Sequence, residues 1–116
     1  ANTMSFKVGE QREVRFFVRN YGNELAEDIH TMLLFGPKFQ VIPEARYTII
    51  KQGPGTAYPG YNAVLFKTKL IHISVRVPMR INLAMPNEVG RYVVPVHIRA
   101  RKIRRLDSEL HFEVSG

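Results

Sequence analysis

The sequence predicts an all-β protein, folded as an antiparallel two-sheet sandwich of seven or eight strands. Apolar and polar residues alternate with a period of two along most of the chain, and no long stretch follows the 3.6-residue period of a helix. Clusters of Gly, Pro, Asn and Asp interrupt the alternation at regular intervals, as turns between strands would. The chain has 116 residues, enough for one core. We therefore expect residues 1–116 to form a single β-sandwich domain, excised from a larger protein.

The first long strand is predicted within VGEQREVRFFVRNYGNELAED, residues 8–28. Val14 and Val18 belong to one face, whereas Phe17 and the charged residues belong to the other. The cluster at residues 20–23 suits a turn, because Asn and Gly tolerate a left-handed backbone. The next segment, DIHTMLLF at residues 28–35, is apolar on both faces. This pattern indicates a strand that is buried on two sides or covered by a neighbouring domain.

Shorter strands are predicted in the middle of the chain. FQVIP and ARYTII are separated by Pro43, which cannot donate a ladder hydrogen bond. The segment KQGPGTAYPGYNA, residues 51–63, is irregular, and the favoured interpretation is a crossover between the two sheets. VLFKTKL, LIHISVRV and MRINLAM are further strand candidates, and apolar residues alternate through residues 71–77 of the second. PNEVG then forms a turn.

The last two strands are predicted to form a hairpin centred near Arg105. In this register Ile98 faces Phe112 and Ala100 faces Leu110, so that apolar residues pair on one face. The charged residues of the two strands then pair on the other face. A slip of one residue would mix the faces, and the pattern therefore favours this register. Together, the predicted strands and turns are typical of an immunoglobulin-like architecture, although the Cys and Trp landmarks of antibody domains are missing.

The two ends of the chain resemble the prokaryotic immunoglobulin-like surface-protein domains grouped as CARDB and NEW3. These modules commonly open with a Val-Gly-Glu turn, an alternating strand, an Asn-x-Gly-Asn turn and a second strand. They also share a late G-x-Y-x-V-x-V element. The matching residues are Val8, Gly9, Glu10, Val14, Val18, Asn20, Gly22, Asn23, Ala26, Ile29, Gly90, Tyr92, Val94 and Val96. The resemblance covers about the first and last 30 residues, and implies a non-catalytic spacer, adhesion or carbohydrate-associated module of a cell-envelope protein.

The chain is strongly basic, with 17 Lys and Arg against 10 Asp and Glu, a formal charge of +7. Such a balance favours anionic partners or serves solubility. The densest basic cluster lies at the predicted hairpin end, where it could contact phosphates or acidic groups. Its members are the candidate anion- or partner-binding residues, namely Arg99, Arg101, Lys102, Arg104 and Arg105. A solvated, edge-protecting set of charges is the alternative interpretation.

Two other groups of residues are candidate protein contacts. Phe17 lies between Arg15 and Arg19 on the face predicted to be exposed, and Arg and aromatic residues are enriched at interfaces. Arg stems that merely shield this Phe are the alternative. Tyr58 and Tyr61, flanked by Gly and Pro in the irregular segment, have the composition of a binding loop.

The sequence offers little support for catalysis or metal binding. Cysteine is absent, and none of the four serines lies in a G-x-S-x-G elbow. The four histidines, including His97 and His111 as diagonal neighbours in the predicted register, have no recognised ligand spacing. We therefore expect no cofactor, no metal and no enzymatic activity.

The leading prediction is a non-catalytic immunoglobulin-like interaction or spacer module of a larger, cell-envelope protein. Its partners would be a protein, a polysaccharide or neighbouring domains of the same chain, at the cell surface or outside the cell. The alternatives are a basic module that binds nucleic acid or acidic lipid through the 99–105 hairpin end, and an accessory domain of an enzyme. A cytoplasmic location is the alternative to the cell surface. The sequence has no apolar run near the roughly 20 residues of a membrane span.

Overall fold

The computed structural model describes residues 3–116, and within them every regular element is a β-strand. This confirms the all-β prediction. The nine strands are β1 (Thr3–Lys7), β2 (Gln11–Arg19), β3 (Ala26–Phe35), β4 (Gln40–Val41), β5 (Thr48–Lys51), β6 (Asn62–Ile71), β7 (Arg76–Ala84), β8 (Gly90–Ala100) and β9 (Ile103–Ser115).

The strands form two sheets of unequal size. The larger sheet has the order β1-β9-β8-β3-β6-β5, and the smaller has the order β2-β7-β4. The prediction of a two-sheet, sandwich-like fold is therefore confirmed, with nine strands in place of seven or eight. One strand pair departs from the predicted antiparallel scheme, because β1 runs parallel to β9.

The core lies between the sheets and is centred on aromatic rings. Phe112 is fully buried and contacts three other rings, with centroid distances of 5.5 Å to Phe6, 6.2 Å to Phe35 and 5.4 Å to Phe39. These rings come from β1, β9, β3 and the loop before β4, so one cluster joins the two ends of the chain to its middle. Phe6 is stacked on Phe112, whereas Phe35 and Phe39 meet it edge to face. Aromatic pairs of both kinds contribute about 0.5–1.5 kcal/mol each beyond area burial.

The two-sided burial predicted for residues 28–35 holds for only part of the strand. Leu33 on one face and Leu34 on the other are both buried by the chain itself. Met32 is half-buried and His30 is exposed, so the exposure of the outer face of β3 increases toward the start of the strand. No neighbouring domain is needed to explain the burial of Leu34.

The strand predicted through residues 71–77 is wrong. β6 continues to Ile71, the chain then turns, and β7 begins at Arg76. Ser74 has a φ of 63°, and the amide N–H of Val75 donates to the carbonyl of His72. Ile73 and Val75 are therefore exposed loop residues, since the left-handed turn breaks the alternation that their sequence suggests.

The predicted register of the last hairpin is also wrong. Ile98 faces Leu106 and not Phe112, and Ala100 faces Ile103 and not Leu110. The turn lies at residues 101–102, where Lys102 has a φ of 62°. From Gly90 to Ile98 the error shifts the pairing by an even number of residues, so Ile98 and Phe112 still face the same core. An irregularity between Ile98 and Ala100 makes the shift odd at Ala100. The His97–His111 proximity drawn from that register is wrong for the same reason, because Asp107 faces His97 and Val93 faces His111.

The prediction that the irregular segment, residues 51–63, crosses between the two sheets is wrong. The segment connects β5 to β6, which are neighbours in the larger sheet, and is therefore a hairpin loop. Backbone hydrogen bonds close its base, from Gln52 N–H to the carbonyl of Tyr61 and from Gly60 N–H to the carbonyl of Gln52. Within residues 3–116, no helix has the length and hydrophobicity to cross a membrane.

Candidate partner-binding surfaces

The outer face of the smaller sheet carries a compact group of arginines. β2 and β7 pair so that Arg15 lies directly opposite Arg80 and Arg19 lies opposite Arg76. Phe17 and Pro78 face each other between these two pairs. All six side chains are exposed. We call this surface the arginine face, and its residues are Arg15, Phe17, Arg19, Arg76, Pro78 and Arg80.

The pairing of the strands produces this arrangement, because opposed residues of an antiparallel pair point to the same side of the sheet. Neighbouring strands lie about 4.8 Å apart, and four residues along a strand span roughly 13 Å. The four arginine Cα positions thus form a narrow rectangle with Phe17 and Pro78 at its centre. Arg76 stacks on Phe17, with its Cζ atom 4.4 Å from the ring centroid. Arg19 stacks less closely on Tyr21, at 5.0 Å.

No carboxylate neutralises these four arginines among the ion pairs of residues 3–116. The nearest acidic residue along β2, Glu13, is held by Arg46 at 3.1 Å. Like charges directly opposite each other on a sheet are destabilising. The face therefore concentrates positive charge that the protein itself leaves uncompensated.

Glu44 is a second carboxylate that is paired with Arg46 and not with the four arginines of the face. Its carboxylate accepts hydrogen bonds from Arg46, at 2.5 Å, and from the side-chain amide of Asn82, at 2.8 Å. The bond from Arg46, followed by that from Asn82, holds the pKa of the Glu44 carboxyl below its usual value. The carboxylates of Glu13 and Glu44 thus both form ion pairs with Arg46, and neither pairs with an arginine of the face.

The structure divides the cations that the sequence placed at the hairpin end. Arg101 in the turn is paired with Glu27 and Asp28 of β3, and Arg105 is paired with Asp107 at 3.0 Å. Arg99 and Arg105 line a groove of about 240 Å³ on the outer face of the larger sheet. Lys102 and Arg104 are exposed. Two of the five residues, Arg101 and Arg105, therefore have acidic partners, whereas Arg99, Lys102 and Arg104 form no ion pair within residues 3–116.

The groove on the larger sheet also contains His30 and His97, with Met32 and Leu65 as its apolar part. His97 Nδ1 lies 2.6 Å from Asp107 Oδ1. This contact, followed by the guanidinium of Arg105, holds the pKa of the Asp107 carboxyl below its usual value. Within residues 3–116, no three acidic, His or Cys side chains come together as metal ligands would.

The two tyrosines of the β5–β6 loop pack on each other. The rings of Tyr58 and Tyr61 have centroids 5.2 Å apart, and both residues are half-buried. The Tyr61 ring also covers Gly36, where an added Cβ would lie 3.7 Å from it. These rings hold the loop against the domain, and they are less exposed than the side chains of the arginine face.

Arg76 and Arg80 belong to the arginine face but were absent from the sequence-based candidates. They lie in a segment assigned to strands whose partners were not predicted. The signal that could have found them was the alternation of Arg76, Pro78 and Arg80, which matches Arg15, Phe17 and Arg19 once β2 and β7 are aligned.

No family model matches this chain, and no curated protein matches its sequence. Among solved structures, the chain is similar to a family 123 glycoside hydrolase from Clostridium perfringens, described in a study of glycolipid glycan hydrolysis. The TM-score is 0.51 and the identity is 11%. The match covers 99% of this chain and 23% of that one, so this chain spans about a quarter of the enzyme's length. At this identity the likeness concerns the fold alone.

Proposed function

We propose that this domain is a non-catalytic, immunoglobulin-like interaction module that binds an acidic surface of a protein partner through the arginine face. The single observation that carries the proposal is the uncompensated rectangle of Arg15, Arg19, Arg76 and Arg80. Guanidinium groups match carboxylates in a bidentate geometry, and Arg is enriched at interface hot spots. An acidic partner would remove the like-charge repulsion across the two strands.

The order of strands supports the immunoglobulin-like part of the proposal. In this proposal the smaller sheet, β2-β7-β4, takes the place of the B-E-D strands of such a domain, and β9-β8-β3 takes the place of G-F-C. β6 and β5 extend the second sheet where variable-type domains have two extra strands. The chain departs from that scheme by forming β4 before β5 and β6. The resemblance to CARDB and NEW3 modules supports a place in a cell-envelope protein.

A protein partner is favoured over single-stranded nucleic acid by the composition of the face. Phe17 is its one aromatic residue, and Arg76 already covers that ring. Proteins that bind single strands present several free rings on which successive bases stack. The hairpin-end alternative is weakened because Arg101 and Arg105 already have acidic partners.

A second candidate function is that of an accessory domain in a larger enzyme. It is supported by the match of nearly the whole chain to about a quarter of a glycoside hydrolase. The arginine face would then contact an acidic surface of the neighbouring catalytic domain. Both candidates give the module the same physical role, which is to present a rigid basic surface.

The experiment compares two variants of equal net charge. One replaces the four arginines of the face by Gln, and the other replaces four hairpin-end cations, Arg99, Lys102, Arg104 and Arg105, by Gln. Each substitution removes one positive charge, so both variants fall from +7 to +3. Binding to poly-glutamate, as a mimic of an acidic surface, is measured by fluorescence anisotropy at several salt concentrations, with oligo-dT as the nucleic-acid probe.

We expect the wild-type protein to bind poly-glutamate at low ionic strength, and to bind it less as salt screens the charges. The arginine-face variant should lose about tenfold or more in affinity, and the hairpin variant less than about threefold. Equal losses in both variants would show that net charge alone governs binding and would refute the arginine face as a site. A stronger, arginine-dependent affinity for oligo-dT would replace the acidic protein partner by nucleic acid.

A further inference from the structure

A part of strand β9 lacks a neighbour on one side. β9 extends over thirteen residues and pairs with β8, and β1 pairs with its other side from His111 to Ser115. Among residues 3–116, no strand pairs with that side of residues 103–110, which we call the β9 edge. An unpaired edge leaves backbone donors and acceptors free to pair with another strand.

An apolar groove lies beside this edge at the open end of the sandwich. Its volume is about 300 Å³, and Ile98, Ala100, Ile103 and Leu106 form the wall contributed by the last hairpin. Ile103 is 48% exposed and Leu106 is 58% exposed. Exposed apolar surface that is contiguous with a free strand edge is typical of an interaction site.

The β9 edge is basic before Leu106 and acidic after it. Arg104 and Arg105 precede Leu106, and Asp107 and Glu109 follow it. A strand with this pattern is complementary to a second copy of itself in the antiparallel direction. When Leu106 faces Leu106 of the second copy, Arg105 faces the second copy's Asp107 and Arg104 faces its Ser108.

The neighbouring symmetric registers are unfavourable. Centring the pair on Arg105 places two arginines opposite each other, and centring it on Asp107 places two aspartates opposite each other, which is destabilising. Only registers centred on a residue keep the core-facing sides of both copies together, because opposed residues share a face. The register centred on Leu106 also ends at residue 109, just before β1 begins to cover β9 at His111.

We infer that the β9 edge is a self-association site at which two copies of this chain pair antiparallel about Leu106. The two larger sheets then join into one continuous sheet, the paired Leu106 side chains close over the apolar grooves, and two Arg105–Asp107 contacts form between the copies. The paired residues, 103–109 of each copy, form a smaller interface than that of a stable dimer. We expect a dissociation constant on the order of 100 µM, as for other small, transient interfaces.

Cysteine cross-linking tests the register. The chain contains no cysteine, so Leu106→Cys supplies one unique thiol. Opposed residues of an antiparallel pair have Cα atoms about 4.5–5.5 Å apart, within the roughly 4.4–6.8 Å span of a disulfide. Val93→Cys, at a residue 46% exposed on β8, is the matched control. Under mild oxidation Leu106→Cys should form covalent dimer about tenfold faster or more than the control. Equal rates would overturn the proposed pairing.

Charge exchange tests the complementarity by sedimentation velocity. Arg105→Asp and Asp107→Arg should each weaken self-association by about tenfold, because each places like charges opposite each other twice. Mixed in equal amounts, the two variants should form a heterodimer of wild-type affinity. Each variant has lost the Arg105–Asp107 pair within its own chain. An ion pair restored within one chain therefore cannot explain a wild-type affinity in the mixture. Circular dichroism confirms that both variants are folded.

The control for this experiment uses Arg91→Asp with Glu113→Arg. These two residues form an ion pair between β8 and β9 within one chain, away from the β9 edge. Their mixture should not associate more than either variant alone. The inference is overturned if the wild-type protein stays monomeric at about ten times the expected dissociation constant, or if the Arg105→Asp and Asp107→Arg mixture gives no heterodimer. The edge would then be left to an extended segment of a different protein.

Discussion

At the scale of single residues, Asn20 connects three parts of the chain. It follows β2, and its side chain is buried although its neighbours in the turn are exposed. The side-chain amide donates to the carbonyls of Glu24 at 2.8 Å and Ile71 at 3.0 Å, and its oxygen accepts from Gly22 N–H at 2.9 Å. Asn20 thus closes its own turn and ties it to the end of β6.

Asn20→Ala should lower the free energy of unfolding by about 2–4 kcal/mol, because three hydrogen bonds are lost and the buried Ile71 carbonyl loses a donor. Urea unfolding measures the change. Asn23→Ala is the matched control, since Asn23 lies in the same turn and is exposed. Its effect should stay within about 0.5 kcal/mol. Equal effects of the two substitutions would contradict the structural role assigned to Asn20.

Tyr47 gives a prediction about alkaline pH. Its hydroxyl donates to the carbonyl of Ile42 and accepts from Asn82 N–H at 3.2 Å. Burial raises the pKa of this hydroxyl above its usual value of 10.0. The unfolded chain therefore ionises Tyr47 first, so its contribution to stability is complete below pH 10 and falls as the pH rises toward the folded-state pKa.

We expect the stability difference between wild type and Tyr47→Phe to shrink above pH 10. Near neutral pH the variant should be about 1 kcal/mol less stable, because the Ile42 carbonyl loses its donor. Urea midpoints at pH 8 and pH 11 measure the change, and Tyr21→Phe, at an exposed ring, serves as the control. A difference that is constant with pH would show that Tyr47 ionises alike in both states.

At the scale of elements, periodicity in the sequence predicted strands where one face is buried. β2 alternates Val14 and Val18 with charged residues, and the structure places both valines in the core. The apolar alternation at residues 71–77 looks the same locally, yet a tight turn occupies it. The difference comes from Asn20, whose carbonyl accepts from Ser74 N–H and whose N–H donates to the Val75 carbonyl. Such a contact between distant segments leaves no periodic signal.

The register of the last hairpin was not predictable from alternation alone. A shift by an even number of residues keeps every side chain on its face, so only the turn distinguishes the registers. Arg101 and Lys102 form that turn, although neither is a usual turn residue. The β7 half of the arginine face escaped prediction for a similar reason. Arg15, Phe17 and Arg19 were predicted as a contact, but Arg76 and Arg80 join them only through the register of β2 with β7.

The β8–β9 turn itself gives a prediction at this scale. Lys102 adopts a φ of 62°, a conformation that disfavours residues with a Cβ. Lys102→Gly should therefore stabilise the protein by about 0.5–1 kcal/mol in urea unfolding. Lys69→Gly, inside β6, removes the same charge and should destabilise it by a similar amount. If both substitutions destabilise, the turn at residues 101–102 is wrongly placed.

At the scale of the whole molecule, positive charge is distributed unevenly over the two sheets. On the larger sheet, Arg91, Arg101 and Arg105 have acidic partners. The smaller sheet instead sets arginine opposite arginine twice. A surface that serves only solubility would gain stability from alternating charges. Under the proposed function, the free domain therefore loses some stability in exchange for a basic binding surface.

Arg80→Glu tests that trade by placing a carboxylate opposite Arg15. We expect the free energy of unfolding to rise by about 0.5–1 kcal/mol at low salt, because one repulsive pair becomes attractive, and the gain to fade near 1 M salt, where charges are screened. Binding of poly-glutamate should fall at the same time. Arg104→Glu makes the same change in charge off the face, and it should alter neither property comparably. If Arg80→Glu leaves the binding of poly-glutamate intact, the face is a solubilising surface. If the substitution lowers the free energy of unfolding, the opposed arginines do not repel each other measurably, and the physical basis of the proposed interaction is lost.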